Sequence, residues 1–91
     1  MARAVLVDVK GRVTGVGFRY SVYAEAVERK RITGYVRNLG CGHVEVLLQG
    51  EDAELNALLS FIRRGPPLAR VTEVIVKEVP VDEFITTFNI R

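Results

Sequence analysis

Cysteine is nearly absent from this chain: Cys41 stands alone among 91 residues. That excludes an internal disulfide framework and fits a reducing compartment. No apolar run approaches the roughly 20 residues of a membrane span, and the N-terminus carries no signal-peptide pattern. A cytoplasmic protein that does not engage a membrane is therefore expected. Charge of one sign is also scarce in excess: 13 Lys and Arg stand against 11 Asp and Glu, a net of +2. So small an excess favours anionic ligands without calling for nucleic acid. Linkers, repeats and low-complexity segments are missing, so residues 1–91 are expected to form a single domain. Metal-ligand spacing is lacking too, because His43 and Cys41 share one turn without partners at zinc spacing. They are taken as a solvated hairpin residue and an unpaired turn thiol, and no metal or cofactor is expected.

What the chain does have is glycine, concentrated in Gly11-Arg12-Val13-Thr14-Gly15-Val16-Gly17-Phe18-Arg19. Glycine admits positive φ and lets successive N–H groups turn toward one point. A strand before such a loop and a helix after it gather those amides and the helix N-terminus around one concavity. Arg19 adds a charged fork at its rim, and phosphate suits this geometry best. The nucleotide loops are excluded: a Walker A loop requires Gly-Lys-Ser/Thr at its end, and a dinucleotide fingerprint requires glycine where Tyr20 stands. A cysteine phosphatase would need its thiol near Val13. The loop is therefore a phosphate seat without a nucleophile, since Thr14 and Ser21 are hydroxyls with no adjacent base. Water is the expected attacker.

Around this loop the periodicity is readable. Residues 4–9 are apolar at nearly every position, as in a buried central strand. Residues 20–31 lack Gly and Pro and read as a helix, with Ser21 near its start. Val22, Tyr23, Ala26 and Val27 share one face of it, Glu25, Glu28, Arg29 and Lys30 take the rest, and Glu25 and Arg29 form an i,i+4 pair. Residues 32–38 and 43–49 form two strands around the glycine turn Leu39-Gly40-Cys41-Gly42. Leu55, Leu58, Leu59 and Ile62 trace a helical stripe over residues 52–64, which Gly65-Pro66-Pro67 stops. Residues 71–79 and 84–90 supply the last strands. This βαββαβ order with an added C-terminal strand predicts a ferredoxin-like α/β sandwich of class α+β, an antiparallel sheet with two helices on one face.

A second stretch, Gly34-Tyr35-Val36-Arg37-Asn38, ends a strand, with Asn38 on the opposite side from Tyr35 and Arg37. Asparagine here either begins a turn or offers its amide to a water; spacing does not choose between the two. Asp8, the lone acid of the first strand, is taken as a surface carboxylate.

The glycine loop resembles the first signature of the acylphosphatase family. Gly34-Tyr35-Val36-Arg37-Asn38, followed by Gly42-His43-Val44 and Gly50, is similar to the second. The resemblance continues through Gly65-Pro66-Pro67-Leu68-Ala69-Arg70-Val71 and Phe88-Asn89-Ile90-Arg91, so it covers essentially the whole chain. It implies a hydrolase that splits the carboxyl–phosphate bond of acyl phosphates into carboxylate and phosphate. It further implies that Gly15, Val16, Gly17, Phe18 and Arg19 bind the phosphoryl group and that Asn38 orients the attacking water, with Arg19 and Asn38 catalytic. Two departures are visible: Thr14 stands where the family usually carries Gln, and residues 39–42 are richer in glycine and poorer in acid than in relatives. Such chemistry needs little machinery. The leaving carboxylate has a conjugate acid of pKa about 4 and departs without a general acid.

The rival readings are weaker. A nucleic-acid-binding plait stacks bases on aromatic residues of its central strands, whereas residues 4–9 and 43–49 contain no Phe, Tyr or Trp. A regulatory small-molecule domain of this fold would not need Arg19 and Asn38 together. A chain running from Met1 to Arg91 is expected to be a stand-alone, monomeric protein rather than a module of a larger maturation enzyme.

Overall fold

Alternation along the first strand decides which side of the sheet becomes the core. Val5, Val7 and Val9 of β1 (Arg3–Arg12) face one way and are buried. In the computed structural model, which describes residues 2–29 and 31–91, the elements that follow are α1 (Phe18–Glu28), β2 (Thr33–Gly40), β3 (His43–Gly50), α2 (Asp52–Arg64), β4 (Arg70–Val79) and β5 (Phe88–Ile90). The strand order is β4-β1-β3-β2-β5. Strand β3 is antiparallel to both β1 and β2, and β1 is antiparallel to β4. Each helix therefore bridges two strands that flank a third, the split βαβ arrangement of a ferredoxin-like sandwich. Strand β5 joins β2 in parallel at the edge, so the complete sheet is mixed.

Val36 of β2 and Val44, Val46 and Leu48 of β3 share the core with the β1 valines. Phe18, Val22 and Ala26 of α1 and Leu55, Leu58 and Ile62 of α2 complete the same cluster, so both helices cover one face of the sheet. Burial of each large apolar side chain contributes about 1.5–3 kcal/mol. Val27, expected on the apolar face, is 49% exposed; the buried stripe on α1 is the narrow i, i+4 row 18, 22, 26. The Glu25–Arg29 pair forms at 3.4 Å, and Arg29 also reaches Glu54 of α2 at 3.6 Å.

Several boundaries differ from the sequence expectation: β1 runs on to Arg12 instead of ending at residue 9, and β2 spans Thr33–Gly40 instead of residues 32–38. Helix α1 begins two residues earlier than residues 20–31 suggest, because Gly17, at φ 75°, already turns the chain so that Ser21 N–H donates to its carbonyl. It ends at Glu28, where the Arg29 N–H bonds back to the Glu25 and Ala26 carbonyls and the backbone leaves helical geometry. Lys30 lies outside the described residues. The last strand spans only Phe88–Ile90, not residues 84–90. The Asp82 carboxylate accepts from the Phe84 N–H and the Asp82 carbonyl from the Ile85 N–H, so this segment turns locally instead of pairing. Phe84 is accordingly exposed.

The face of the sheet away from the helices carries a polar cluster beside Leu6 and Leu47. Glu45 is nearly buried there and accepts from both the Tyr35 hydroxyl (2.8 Å) and Arg37 Nε (2.9 Å). Asp8 and His43, expected to be separately solvated, pair at 3.1 Å, because the β1–β3 register brings both onto this face. Gln49, 3% exposed, donates to Thr33 Oγ1 and to the Asp82 carbonyl and accepts from the Asp82 N–H. It ties the β4–β5 connection to the sheet, and with it the placement of β5.

Candidate active site

The glycine loop emerges from β1 and enters α1, and its conformation follows from its glycines. Gly15 and Gly17 adopt φ of 73° and 75°, the left-handed region that residues with a Cβ rarely occupy. A Cβ at either would meet nothing within 4 Å. Conformation, not space, demands glycine here. Gly11, at φ 133°, is required on both grounds, since a Cβ there would also collide with the Arg70 carbonyl of β4.

The loop delivers the chain to α1 with Gly17 at the N-cap and no side chain capping the helix. The first helical N–H groups, from Phe18 onward, therefore lack intrahelical partners. The first turn contains no acidic residue and carries Arg19 instead. Helix α2 does the reverse, with Asp52 and Glu54 in its first turn and Arg63 and Arg64 in its last. A cation at a helix N-terminus forgoes dipole stabilisation of about 0.3–1 kcal/mol. The start of α1 is left electropositive, as a seat for an external anion requires.

An open cavity of about 210 Å³ lies at this point, lined by Val13, Gly15, Gly17, Phe18, Arg19, Tyr20, Asn38 and Ile90. Of the residues singled out from the sequence, it brings together Gly15, Gly17, Phe18, Arg19 and Asn38. Val16 is not part of the lining; its side chain packs against the core. Asn38 reaches the cavity because alternation along β2 places it on the side of Val36, beneath the helices, and away from Tyr35 and Arg37. The guanidinium of Arg19 donates through Nη1 to the main-chain carbonyl of Arg91 at 3.1 Å. The Arg91 N–H in turn donates to the Val36 carbonyl, so β2 and the chain beyond β5 anchor the fork. Among the described residues this is the one hydrogen bond of that guanidinium, which has five N–H donors.

The acylphosphatase family profile matches residues 5–90. The chain belongs to the acylphosphatase family. Acylphosphatases are hydrolases acting on acyl phosphates, and the chain is similar to several along their full length. It is 50% identical to an acylphosphatase of Pseudomonas paraeruginosa, over 100% of this chain and 99% of that protein. It is 46% identical to one of Methylococcus capsulatus, over 97% and 95% respectively. The structure of an acylphosphatase from Coxiella burnetii superposes with a TM-score of 0.91 at 37% identity, covering 99% of this chain and 93% of that one.

Three residues at the acylphosphatase cavity were not among those singled out from the sequence. Tyr20 and Ile90 line it, and Arg91 steadies Arg19. The position of Tyr20 next to Arg19 was the available signal for the first. For Ile90 and Arg91 the family resemblance of the closing segment was the one signal, and local patterning gave none, because their approach depends on the parallel β2–β5 register that sets Ile90 beside Val36. Among the described residues no three or more His, Cys, Asp or Glu side chains gather into a metal-binding group, and no helix is long and apolar enough to cross a membrane.

Proposed function

We propose that this acylphosphatase cleaves the carboxyl–phosphate bond of acyl phosphates by direct attack of water. The phosphoryl group rests on the main-chain amides of residues 15–19 and on the guanidinium of Arg19. Asn38 orients the water through its side-chain amide. The observation that carries this reading is the single cavity shared by Gly15 and Gly17 of the loop, Arg19 of α1 and Asn38 of β2.

Phosphoryl transfer proceeds through a loose transition state in which charge gathers on the equatorial oxygens, so positioned donors supply most of the catalysis. Arg19 and the amides are such donors. The departing carboxylate is already a stable anion, so the mechanism requires no general acid. Because the chemistry rests on main-chain amides, one arginine and one asparagine, the enzyme works without a cofactor, as a monomer, in the reducing cytoplasm that its unpaired, exposed Cys41 tolerates.

Phosphate release from a simple acyl phosphate and from an alkyl phosphomonoester, each with and without chelator, tests the reading. Turnover of the acyl phosphate alone, unchanged by chelator, is expected. Comparable turnover of the monoester, or loss of activity on chelation, would overturn it.

A further inference from the structure

Thr14 lies between Val13 and Gly15, exposed at the surface, where the family usually carries Gln. Its hydroxyl oxygen accepts a 3.0 Å hydrogen bond from the main-chain N–H of Gly42. Gly42 belongs to the turn between β2 and β3, at φ 76°. Its carbonyl accepts from the Gly11 N–H at 3.1 Å. One turn residue is thus held at two points of the glycine loop, three residues apart. Gly42 also approaches so closely that a Cβ on it would come within 3.1 Å of the Gly11 carbonyl oxygen.

These contacts join the two halves of the cavity. The phosphate seat, residues 15–19, is one continuous segment that starts immediately after Thr14. Asn38 belongs to the other half, four residues before Gly42, on the strand whose pairing shifts register between Asn38 and Gly40. A strand end interrupted by such an irregularity is held less firmly by its ladder. The bond at Gly11 alone would fix one point and leave a pivot. The second bond, at Thr14, removes that freedom next to Gly15.

We propose that Thr14 is a positioning residue, whose hydroxyl holds the phosphate loop in register with the β2–β3 turn and so sets the distance between the seat and Asn38. This rests on the functional reading above. Loosening the link should misalign water and phosphoryl group while leaving the seat itself intact, since residues 15–19, Arg19 included, move as one segment. A misplacement of about 1 Å costs on the order of 100-fold in rate; loss of one of two tethers should cost about tenfold.

The test compares wild type, Thr14→Val, which keeps the shape but removes the acceptor, and Thr14→Ser, which keeps the acceptor. Turnover of a simple acyl phosphate, competitive inhibition by inorganic phosphate and thermal stability are measured for each. The expected result is a kcat about tenfold lower in Thr14→Val, with the phosphate inhibition constant within about twofold of wild type, and recovery in Thr14→Ser. A Thr14→Val enzyme with wild-type kcat would overturn the inference. Equal losses in kcat and phosphate affinity would also overturn it, by placing the effect in the seat. Wild type without turnover would overturn the functional reading and this inference with it.

Discussion

Arg19 and Asn38 line one cavity from different elements, and their replacement should separate binding from positioning. Arg19→Ala removes the only side-chain cation of the seat and should lower kcat/KM by roughly 10³-fold or more, a magnitude typical of arginines on transferring phosphoryl groups. Competitive inhibition by inorganic phosphate should vanish with it. Asn38→Ala should lower kcat by about 100-fold while the phosphate inhibition constant changes little. Steady-state kinetics with and without added phosphate reads both effects, and equal loss of turnover and phosphate affinity in Asn38→Ala would make Asn38 a binding group instead. The two side chains differ in how far the sequence revealed them. Arg19 could be read from its place after the glycines. Residue spacing did not place Asn38 in that cavity, although the family resemblance pointed to it, because only folding brings β2 against the loop.

At the scale of elements, two glycines illustrate different physical demands. Gly34, at φ 138°, lies where a Cβ would collide with the Leu47 carbonyl of the neighbouring strand, so Gly34→Ala must push β2 and β3 apart. Overpacking and backbone strain together should cost more than about 2 kcal/mol. Gly17, by contrast, has open space around it, and Gly17→Ala should cost only about 1–2 kcal/mol for its left-handed backbone. Gly17→Ala should nonetheless lose the greater share of activity, because relief of that strain shifts the start of α1 and the amides with it. Urea denaturation and turnover, measured on both variants, check this inverse ranking. The strongly periodic elements, above all α2 with its Leu55, Leu58 and Ile62 stripe, were legible because one face must be buried. Residues 84–87 were misread as strand because their alternation is real, but the Asp82 carboxylate and carbonyl take the donors that a ladder would need.

For the molecule as a whole, two polar clusters, Tyr35–Glu45–Arg37 and Arg3–Glu78–Asp52, shape the dependence of stability on pH. The Tyr35 hydroxyl is pushed up from its ordinary value of 10.0, first by burial and then by its hydrogen bond to Glu45, against the opposing pull of Arg37 and Arg91. The Arg91 guanidinium stands 4.2 Å from the centre of the Tyr35 ring. A group whose folded value is raised stabilises the fold fully below its unfolded value and loses that contribution as pH rises through the folded one. Stability should therefore fall above about pH 10, and Tyr35→Phe should make that fall shallower. Glu78 behaves in the opposite sense: its hydrogen bond with Arg3 holds it below the usual carboxylate value, so its contribution is present at neutral pH and fades in acid. Denaturation midpoints of wild type and Tyr35→Phe between pH 7 and the alkaline limit read the first effect, and identical profiles would contradict it.

The sequence by itself determined the order of elements, the two-helix sandwich and the glycine loop with its arginine, because each of these depends on local conformational freedom or on the burial of one periodic face. Tertiary structure alone decided which residues meet. The parallel β2–β5 pairing brings Ile90 to the cavity and the Arg91 carbonyl to Arg19. The antiparallel β1–β3 register brings the Asp8 and His43 side chains together diagonally. The docking of the β2–β3 turn gives Thr14 its partner in Gly42. Contacts between residues tens of positions apart are fixed by strand register and chain crossing, and local residue patterns carry no record of either.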